Sequence, residues 1–169
     1  AVLYVPTIEA VATYEASTWN DYFSEIKIGK KEENGMCWGL IPYGTETGKY
    51  TLWISGIKEM EDYKDANSAP WSKYADKIVA VELPSDMTHI GSYAFNNCVV
   101  LKSITIPKLV ETIGEYCFAS SSALESVTFG EGSKLTSIGN YAFWKCGRLK
   151  NITIPASVGT IGEYCFYYC

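Results

Sequence analysis

One segment recurs four times in the second half of this 169-residue chain, and this recurrence limits the possible folds more than any other feature. Isoleucines recur at one position of the segment, and phenylalanines recur in step with them at another. A nearly constant period of about 23 residues is typical of solenoids, in which each repeat forms one turn and buries apolar side chains against its neighbours. The marker residues are Ile90, Ile113, Ile138, Ile161, Phe95, Phe118, Phe143 and Phe166.

Each repeat contains two short apolar runs that predict β-strands. In Leu124-x-x-Val127-x-Phe129 the apolar side chains alternate, so they should point inward while the threonine between them points outward. A proline follows this run in three of the four repeats, where it ends the strand because it has no N–H to donate. A glycine closes the second run in every repeat, which predicts a backbone conformation that other side chains resist. These glycines are Gly91, Gly114, Gly139 and Gly162.

The tyrosine and phenylalanine after each glycine, in x-Tyr-Ala/Cys-Phe, predict a short helical turn. The predicted fold is therefore an α+β repeat protein, a short right-handed solenoid of four turns with a strand, a second strand and a short helical turn in each repeat. Four tyrosines share one position in these turns, and a stacked aromatic ladder usually serves packing between repeats. They are Tyr93, Tyr116, Tyr141 and Tyr164.

The sequence IGEYCF occurs twice and raises the question of a reactive thiol beside a carboxylate. Its cysteines, Cys117 and Cys165, occupy a position that holds alanine in the other two repeats, which indicates a tight buried slot. They lie two turns apart, at about 10 Å, which is too far for a disulfide. Only Cys146 and Cys169, on adjacent turns, could approach bonding distance, and most of the six thiols should be free and buried.

Composition and motifs exclude several functions. A net charge of −5 gives no basic surface for nucleic acid, and no apolar run reaches the roughly 18 residues that cross a membrane. The chain has no catalytic or cofactor motif, and its single histidine, His89, belongs to an outward column, so neither an enzyme nor a cofactor is expected. The acidic run at 59–67 leaves calcium as an alternative to a solvated loop, with Glu61, Asp62 and Asp65 as ligands.

The repeats SIGNYAFWKCGRLKNITIP and ITIPASVGTIGEYCFYYC resemble the BspA-like leucine-rich repeat family. The resemblance places four repeats at 81–169, the last of them truncated, after an N-terminal cap region at 37–80. In this cap the segment YTLWISG predicts a strand, and a charged loop and a helical turn anchored by Pro70 and Trp71 follow it. Large aromatic side chains would cover the apolar end of the solenoid there.

The N-terminal segment 1–28 resembles the closing element found at the C-terminal end of such arrays. Leu3-Tyr4-Val5-Pro6 matches the register of Ile152-Thr153-Ile154-Pro155, and a helix is expected from Thr7, before an aromatic-rich finish. A charged, glycine-containing linker at 29–36 separates this element from the cap region. We therefore expect either a segment of a longer tandem protein or a unit whose last turn is completed by the Leu3 strand of a neighbouring copy.

The resemblance implies a non-enzymatic extracellular or cell-surface scaffold for adhesion or protein binding, with a protein or host-surface ligand as partner. The ligand would contact the outward strand rows Glu82, Thr105, Thr128, Thr153, Lys102, Glu125 and Lys150. The alternative is a self-assembling structural protein that forms head-to-tail filaments with copies of itself. The candidates for that contact are Leu3, Tyr4, Val5, Tyr167, Tyr168 and Cys169.

Overall fold

The structure, a computed structural model, describes Val2–Val5, Glu25–Ile28 and residues 30–169, with side chains from residue 32 onward. Its strands in the N-terminal part are β1 (Val2–Val5), β2 (Glu25–Ile28), β3 (Lys30–Lys31), β4 (Cys37–Pro42), β5 (Tyr50–Ser55) and β6 (Ile78–Glu82). Those in the repeats are β7 (His89–Ile90), β8 (Ser103–Ile106), β9 (Thr112–Ile113), β10 (Ser126–Phe129), β11 (Ser137–Ile138) and β12 (Thr160–Ile161).

The predicted period is confirmed by a parallel sheet of four short strands, in the order β12, β11, β9, β7. The marker isoleucines are in register, with Ile90 opposite Ile113, Ile113 opposite Ile138, and Ile138 opposite Ile161. Because each step between neighbouring strands is one repeat, the four strands delimit about three complete turns of a β-solenoid.

The other predicted row of strands is only partly present. β8 and β10 pair in parallel, with Ser103 opposite Ser126 and Phe129 opposite Ile106. The corresponding residues of the fourth turn, 151–154, form no strand, which corrects the sequence prediction. Ile152 and Ile154 are only partly buried, since the described structure places no further turn against them. Little burial energy therefore holds this segment against β10.

The cap is a four-stranded sheet in the order β3, β4, β5, β6. β3 and β4 pair antiparallel, as do β4 and β5, whereas β5 and β6 are parallel. The predicted strand in YTLWISG is confirmed as β5. The predicted turn after Pro70 is a 3-10 helix, Ser72–Lys77, which is the only helix in the described residues. Trp71 is 1% exposed, and its ring stacks on Phe95 of the first repeat at 6.1 Å, so the cap continues the core of the array.

The N-terminal strands β1 and β2 form a separate parallel pair, with Leu3 opposite Ile26 and Val5 opposite Ile28. The sequence offset between Leu3 and Ile26 equals the offset between Thr105 and Thr128, which are partners in β8 and β10. The helix predicted from Thr7 lies outside the described residues. β3 lies within the segment 29–36 that the sequence indicates as a linker.

Stacked aromatic rings run through the array, as expected from their columns. The rings of Phe95, Phe118, Phe143 and Phe166 follow one another with centroid distances of 5.3, 5.1 and 5.4 Å. The tyrosine column stacks in the same way, at 5.0, 4.7 and 5.1 Å. Both columns therefore hold successive turns together through face-to-face contact.

The predicted short helical turn is not confirmed, and backbone hydrogen bonding explains why. Alternate N–H groups in this segment donate across to the next turn instead of along a helix, as Tyr116 does to Asn140, Phe118 to Ala142 and Ser120 to Trp144. Tyr116 and Ser120 have positive φ values of 52° and 62°, which interrupt a right-handed helix. The α+β description is therefore replaced by a solenoid with almost no helix.

The repeated glycine is required by close approach and not by its own conformation, which corrects the prediction. None of the four has a positive φ. A Cβ atom on Gly139 would lie 2.7 Å from the backbone nitrogen of Glu115 and 2.7 Å from the carbonyl carbon of Gly114 in the preceding turn. The backbones of adjacent turns thus meet where only glycine leaves room.

The cysteines follow the predicted burial. Cys117 is 0% exposed and Cys165 is 3% exposed, like the alanines that share their column. All six thiols are free, so the structure contains no bond between Cys146 and Cys169. Each of these two thiols lies 3.2 Å from the carbonyl oxygen of a phenylalanine in the preceding turn, Phe118 for Cys146 and Phe143 for Cys169.

Candidate binding surface

The outward strand row is exposed along the array, where the sequence predicts a ligand contact. The strands β8 and β10 alternate buried and outward residues, which places Thr105 and Thr128 side by side with their hydroxyl oxygens 2.9 Å apart. Thr153 lies on the unpaired segment of the fourth turn. All seven predicted contact residues are exposed: Glu82, Lys102, Thr105, Glu125, Thr128, Lys150 and Thr153.

Three surface grooves cross this face, and five of the seven residues line them. A groove of about 520 Å³ lies between the first repeats and the cap, with Lys102 in its lining. A second, of about 600 Å³, contains Glu125 and Lys150. The third, of about 620 Å³, lies between β10 and residues 151–157 and includes Thr128 and Thr153. The third groove exists because the fourth turn does not pair with β10.

The charges on this face are mixed and accessible. Arg148 Nη1 lies 3.3 Å from Glu125 Oε1, with the side chains 64% and 55% exposed. A pair this exposed contributes little to stability, because water and salt screen it. Its groups therefore remain available to a partner, and the combination of ammonium, guanidinium, carboxylate and hydroxyl groups suits a polar protein surface better than a small apolar ligand.

A second candidate surface is the outer face of the fourth turn. Ile161 is 47% exposed, although its equivalents in the inner turns are nearly fully buried. Tyr164 is 54%, Tyr167 50% and Tyr168 63% exposed, and Cys169 is exposed beside them. The side chains of Leu3, Tyr4 and Val5, which the sequence predicts as the partner of this face, lie outside the described side chains.

A polar cluster that the sequence did not predict joins the cap to the first repeat. Asp62 Oδ1 accepts hydrogen bonds from the backbone N–H and the hydroxyl of Ser92, at 2.7 and 2.6 Å, and lies 3.3 Å from His89 Nε2. The other ring nitrogen of His89 lies 2.5 Å from the hydroxyl oxygen of Thr112. Partial burial acts to raise the pKa of Asp62, but the bonds from Ser92 and the nearby His89 hold it below its ordinary value.

The geometry of this cluster indicates a structural role. The Ser92 hydroxyl donates to Asp62 and not to His89, so the histidine is not placed to activate it as a nucleophile. Asp65 is also engaged, by the Asn67 N–H and the Ser68 hydroxyl. Among the described residues, no group of three or more His, Cys, Asp or Glu side chains could hold a metal ion.

The polar residue that follows each repeated glycine also forms hydrogen bonds between turns. The Ser92 hydroxyl accepts the N–H of Glu115, and the Asn140 side-chain oxygen accepts the N–H of Glu163. In both cases the donor lies in the next turn and not in a helix of the same turn. Asn140 also donates to Glu115 Oε1 at 2.8 Å, so the carboxylate of the first IGEYCF already has a hydrogen-bond partner in the next turn.

Burial makes the thiols of the array poor nucleophiles. It raises the pKa of Cys98 and Cys146 to about 12 and that of Cys165 to about 11. The thiolate is the reactive form of cysteine, so these groups are almost fully protonated and inert near neutral pH. Burial likewise raises the pKa of Cys117, so both cysteines of the Glu-Tyr-Cys sequences lie where the thiolate is disfavoured.

The parallel strands in register, the stacked rings and the exposed strand row define a solenoid scaffold of the leucine-rich-repeat type, a class that generally binds proteins. A family model described as "BspA type Leucine rich repeat region (6 copies)" matches residues 73–169, which is more than half of the chain. The chain belongs to this family.

Solved structures agree with this assignment. A leucine-rich repeat protein from Eubacterium ventriosum is 34% identical, with a TM-score of 0.55 over 66% of this chain and 35% of the other. One from Bacteroides ovatus is 28% identical, with a TM-score of 0.53 over 76% and 37% of the two chains. The T. pallidum Leucine Rich Repeat protein has the same fold at 24% identity, with a TM-score of 0.57 over 81% and 66%.

This chain thus spans about a third of the Eubacterium ventriosum and Bacteroides ovatus structures. A search of curated proteins found no match. The family and these structures are repeat scaffolds, and none of them indicates a catalytic family. In the described part of the chain, no helix has the length and apolar character needed to span a bilayer.

Proposed function

We propose that this chain is a binding module of an extracellular or cell-surface protein, and that it holds a protein or host-surface ligand on its outward strand row. The observation that supports this function most directly is the continuous exposure of the row. Its seven residues are accessible, and five of them line grooves large enough to receive side chains of a partner. Membership of the family supports protein binding in general. On a cell surface, such binding would serve adhesion.

The chemistry of the row favours a polar macromolecular partner. Lys102 and Lys150 flank Glu125 along the array, so a ligand with a complementary alternation of charge would be oriented by them. Charged groups at the rim of an interface act mostly on specificity and on the rate of association. The threonines between them add hydroxyl donors and acceptors together with small apolar methyl groups.

Binding to immobilised extracellular-matrix and cell-surface proteins, measured by biolayer interferometry, tests the proposal. Replacing both Lys102 and Lys150 by glutamate should weaken binding about tenfold or more, because like charges then face each other across the interface. Replacing both Lys108 and Lys134 by glutamate is the matched control, since it changes the net charge equally and both lysines are exposed in the same array but line none of the three grooves.

The outcomes are distinct. A selective loss in the double variant supports the row as the binding surface. Equal losses of affinity in the control and the double variant would mean that net charge alone causes the effect. Unchanged binding in both would mean that the ligand binds another face. Either result would contradict the proposal.

A further inference from the structure

The groove of about 520 Å³ between the cap and the first repeats, the cap groove, is lined by residues of both parts. The cap contributes Val79 and Ala80 of β6, and the repeats contribute Lys102 and Ser103, where β8 begins. β6 and β8 belong to different sheets and are not hydrogen-bonded to each other. The cap groove therefore lies where the cap sheet and the strand row of the repeats do not join.

The loop between β4 and β5 also lines the cap groove, and its backbone is fixed by its own hydrogen bonds. The Tyr43 N–H donates to the Lys49 carbonyl at 2.9 Å, and the Glu46 N–H donates to the Tyr43 carbonyl at 3.1 Å. The side chains of these three residues belong to the lining. A phenol, a carboxylate and an ammonium group are thus presented from a loop that is closed by its own backbone.

The lining is more positive than the chain as a whole. Lys49, Lys102 and Arg148 stand against the single carboxylate of Glu46, an excess of two positive charges in a chain of net charge −5. Within the described part of the chain, neither lysine is in an ion pair, and Arg148 has only its exposed contact with Glu125 at 3.3 Å. An anionic partner would supply the opposite charges that these groups lack.

Apolar side chains share the cap groove with these charges. Val99 is 38% exposed and Tyr43 is 44% exposed, and both line the groove together with Val100 and Ala123. Covering them would stabilise a complex in proportion to the apolar area removed from water. A sulfated polysaccharide has no aliphatic side chain to cover them, and Glu46 would repel it. A polypeptide can place an aliphatic side chain beside a carboxylate.

We propose that the cap groove binds an extended acidic segment of a partner protein, in which carboxylates alternate with aliphatic side chains. This inference rests on the binding function proposed above and names the chemistry of the partner. Successive side chains of an extended segment point to opposite sides, so carboxylates can reach Lys49 and Lys102 while aliphatic groups cover Val99. Ser103 and Ser122 add hydroxyl donors to the lining. The volume of about 520 Å³ suits a few residues of a partner.

Fluorescence anisotropy of a labelled peptide tests the proposal, with the full chain titrated up to about 500 µM so that weak binding is detected. The probe is a short fluorescein-labelled peptide in which glutamate alternates with valine. Its matched analogue has glutamine in place of each glutamate and should bind at least about tenfold more weakly. Affinity for the glutamate peptide should also fall as salt rises from about 50 to about 500 mM, because salt screens exposed charges.

Two double variants locate the binding. Replacing both Lys49 and Lys102 by glutamate reverses the two ammonium groups of the cap groove and should weaken binding of the glutamate peptide about tenfold or more. Replacing both Lys108 and Lys134 by glutamate changes the net charge equally at exposed lysines outside the lining, and this variant should bind the peptide like wild type. Circular dichroism establishes that each variant is folded.

Four results would overturn the proposal. They are no binding of the glutamate peptide at about 500 µM, equal affinities for the glutamate and glutamine peptides, and equal losses in the two double variants. The fourth is a heparin oligosaccharide that binds more tightly than the peptide and displaces it, since the groove would then be a polysaccharide site.

Failure of this inference can be told apart from failure of the proposed function, because Lys49 lies outside the outward strand row. Suppose that Lys49→Glu alone weakens peptide binding, while the variant with both Lys102 and Lys150 replaced binds immobilised proteins like wild type. The cap groove would then be confirmed and the function of the row contradicted. Loss of protein binding in that row variant, with no peptide binding by wild type, would contradict the cap groove and leave the function standing.

Discussion

The glycine before each turn segment shows how a single atom sets the distance between turns. At Gly139 an added methyl group would meet backbone atoms of the preceding turn at 2.7 Å, where nothing flexible can give way. The sequence pattern predicts that glycine is needed here, but it attributes the need to a backbone conformation that other side chains resist. A sequence pattern cannot separate these two causes, because both select the residue that lacks Cβ.

Gly139→Ala should therefore lower the free energy of unfolding by about 1 to 3 kcal/mol, the usual range for overpacking. Gly147→Ala is the matched control, since a Cβ there would meet nothing within 4 Å and its φ is not positive. That variant should change stability by less than about 1 kcal/mol, and a small gain is expected from the reduced freedom of the unfolded chain. Urea denaturation measures both, and equal effects would contradict the close-approach explanation.

The buried thiols predict a loss of stability in alkali. Burial raises the pKa of Cys146 from 9.0 to about 12, so the folded state holds its proton where the unfolded state releases it. The stabilisation is complete below pH 9 and is lost as pH rises from 9 towards 12, with a slope of up to about 1.4 kcal/mol per pH unit for each such group.

Two reciprocal variants isolate this contribution. Cys146→Ser should keep the hydrogen bond to the preceding turn, as Ser121 does at 3.0 Å to the Phe95 carbonyl, and should make the alkaline decline shallower. Ser121→Cys should make it steeper. The measurement is the urea midpoint between pH 8 and about 11, and identical curves for both variants and wild type would show that thiol ionisation does not limit stability in this range.

At the scale of the element, the segment from Tyr116 to Ser120 shows where sequence reasoning reaches its limit. The apolar columns predicted the turns, their period, the buried thiols and the stacked rings, because inward-facing residues must recur once per turn. The pattern x-Tyr-Ala/Cys-Phe also predicts a short helical turn, since its tyrosine and phenylalanine lie close together after a glycine. Hydrogen bonds to the next turn replace the helix, and they leave no mark on the spacing of apolar residues.

The exposure of the candidate binding surface was predictable to the same extent. Alternation along β8 and β10 fixed which residues face outward, and the exposure of Thr105 and Thr128 follows from it. The groove beside Thr153 was not predictable, because ITIP reads as a strand in the fourth turn as it does in the second. Burial by a following turn decides whether that strand forms, and this depends on neighbours and not on the four residues.

Hydrogen exchange should distinguish the cross-turn ladder from a helix. In monomeric protein, the amides of Tyr116, Phe118 and Ser120 should exchange slowly, because each donates to the following turn at 2.7 to 3.0 Å. The equivalent amides of the fourth turn should exchange at least about 100-fold faster. Comparable protection in both turns would mean that bonds within the turn, and not the ladder, protect these amides.

At the scale of the whole molecule, stability is transmitted along the array from turn to turn. Each repeat contacts only its neighbours, so the free energy of the array combines the stability of single turns with that of the interfaces between them. The cap forms the first of these interfaces through Trp71, whose ring contacts Trp38, Tyr63 and Phe95 at centroid distances of 5.9, 5.8 and 6.1 Å. The strength of this contact should therefore affect turns that the cap does not touch.

Trp71→Phe tests this transmission. The change keeps a large ring in the core but removes the indole N–H that bonds the Ala94 carbonyl at 2.7 Å, and leaving this buried acceptor without a partner should cost about 1 to 3 kcal/mol. Trp144→Phe is the control, because Trp144 is only partly buried, and its loss should stay below about 1 kcal/mol.

The readout is the rate at which a thiol reagent modifies Cys146, which is fully buried in the third turn and reacts only after the array opens. If the array unfolds as one unit, Trp71→Phe should accelerate this modification by the factor that corresponds to its loss in unfolding free energy, about 5-fold to 150-fold. An unchanged rate at Cys146, with a weakened cap, would instead show that the turns open independently of the end that the cap closes.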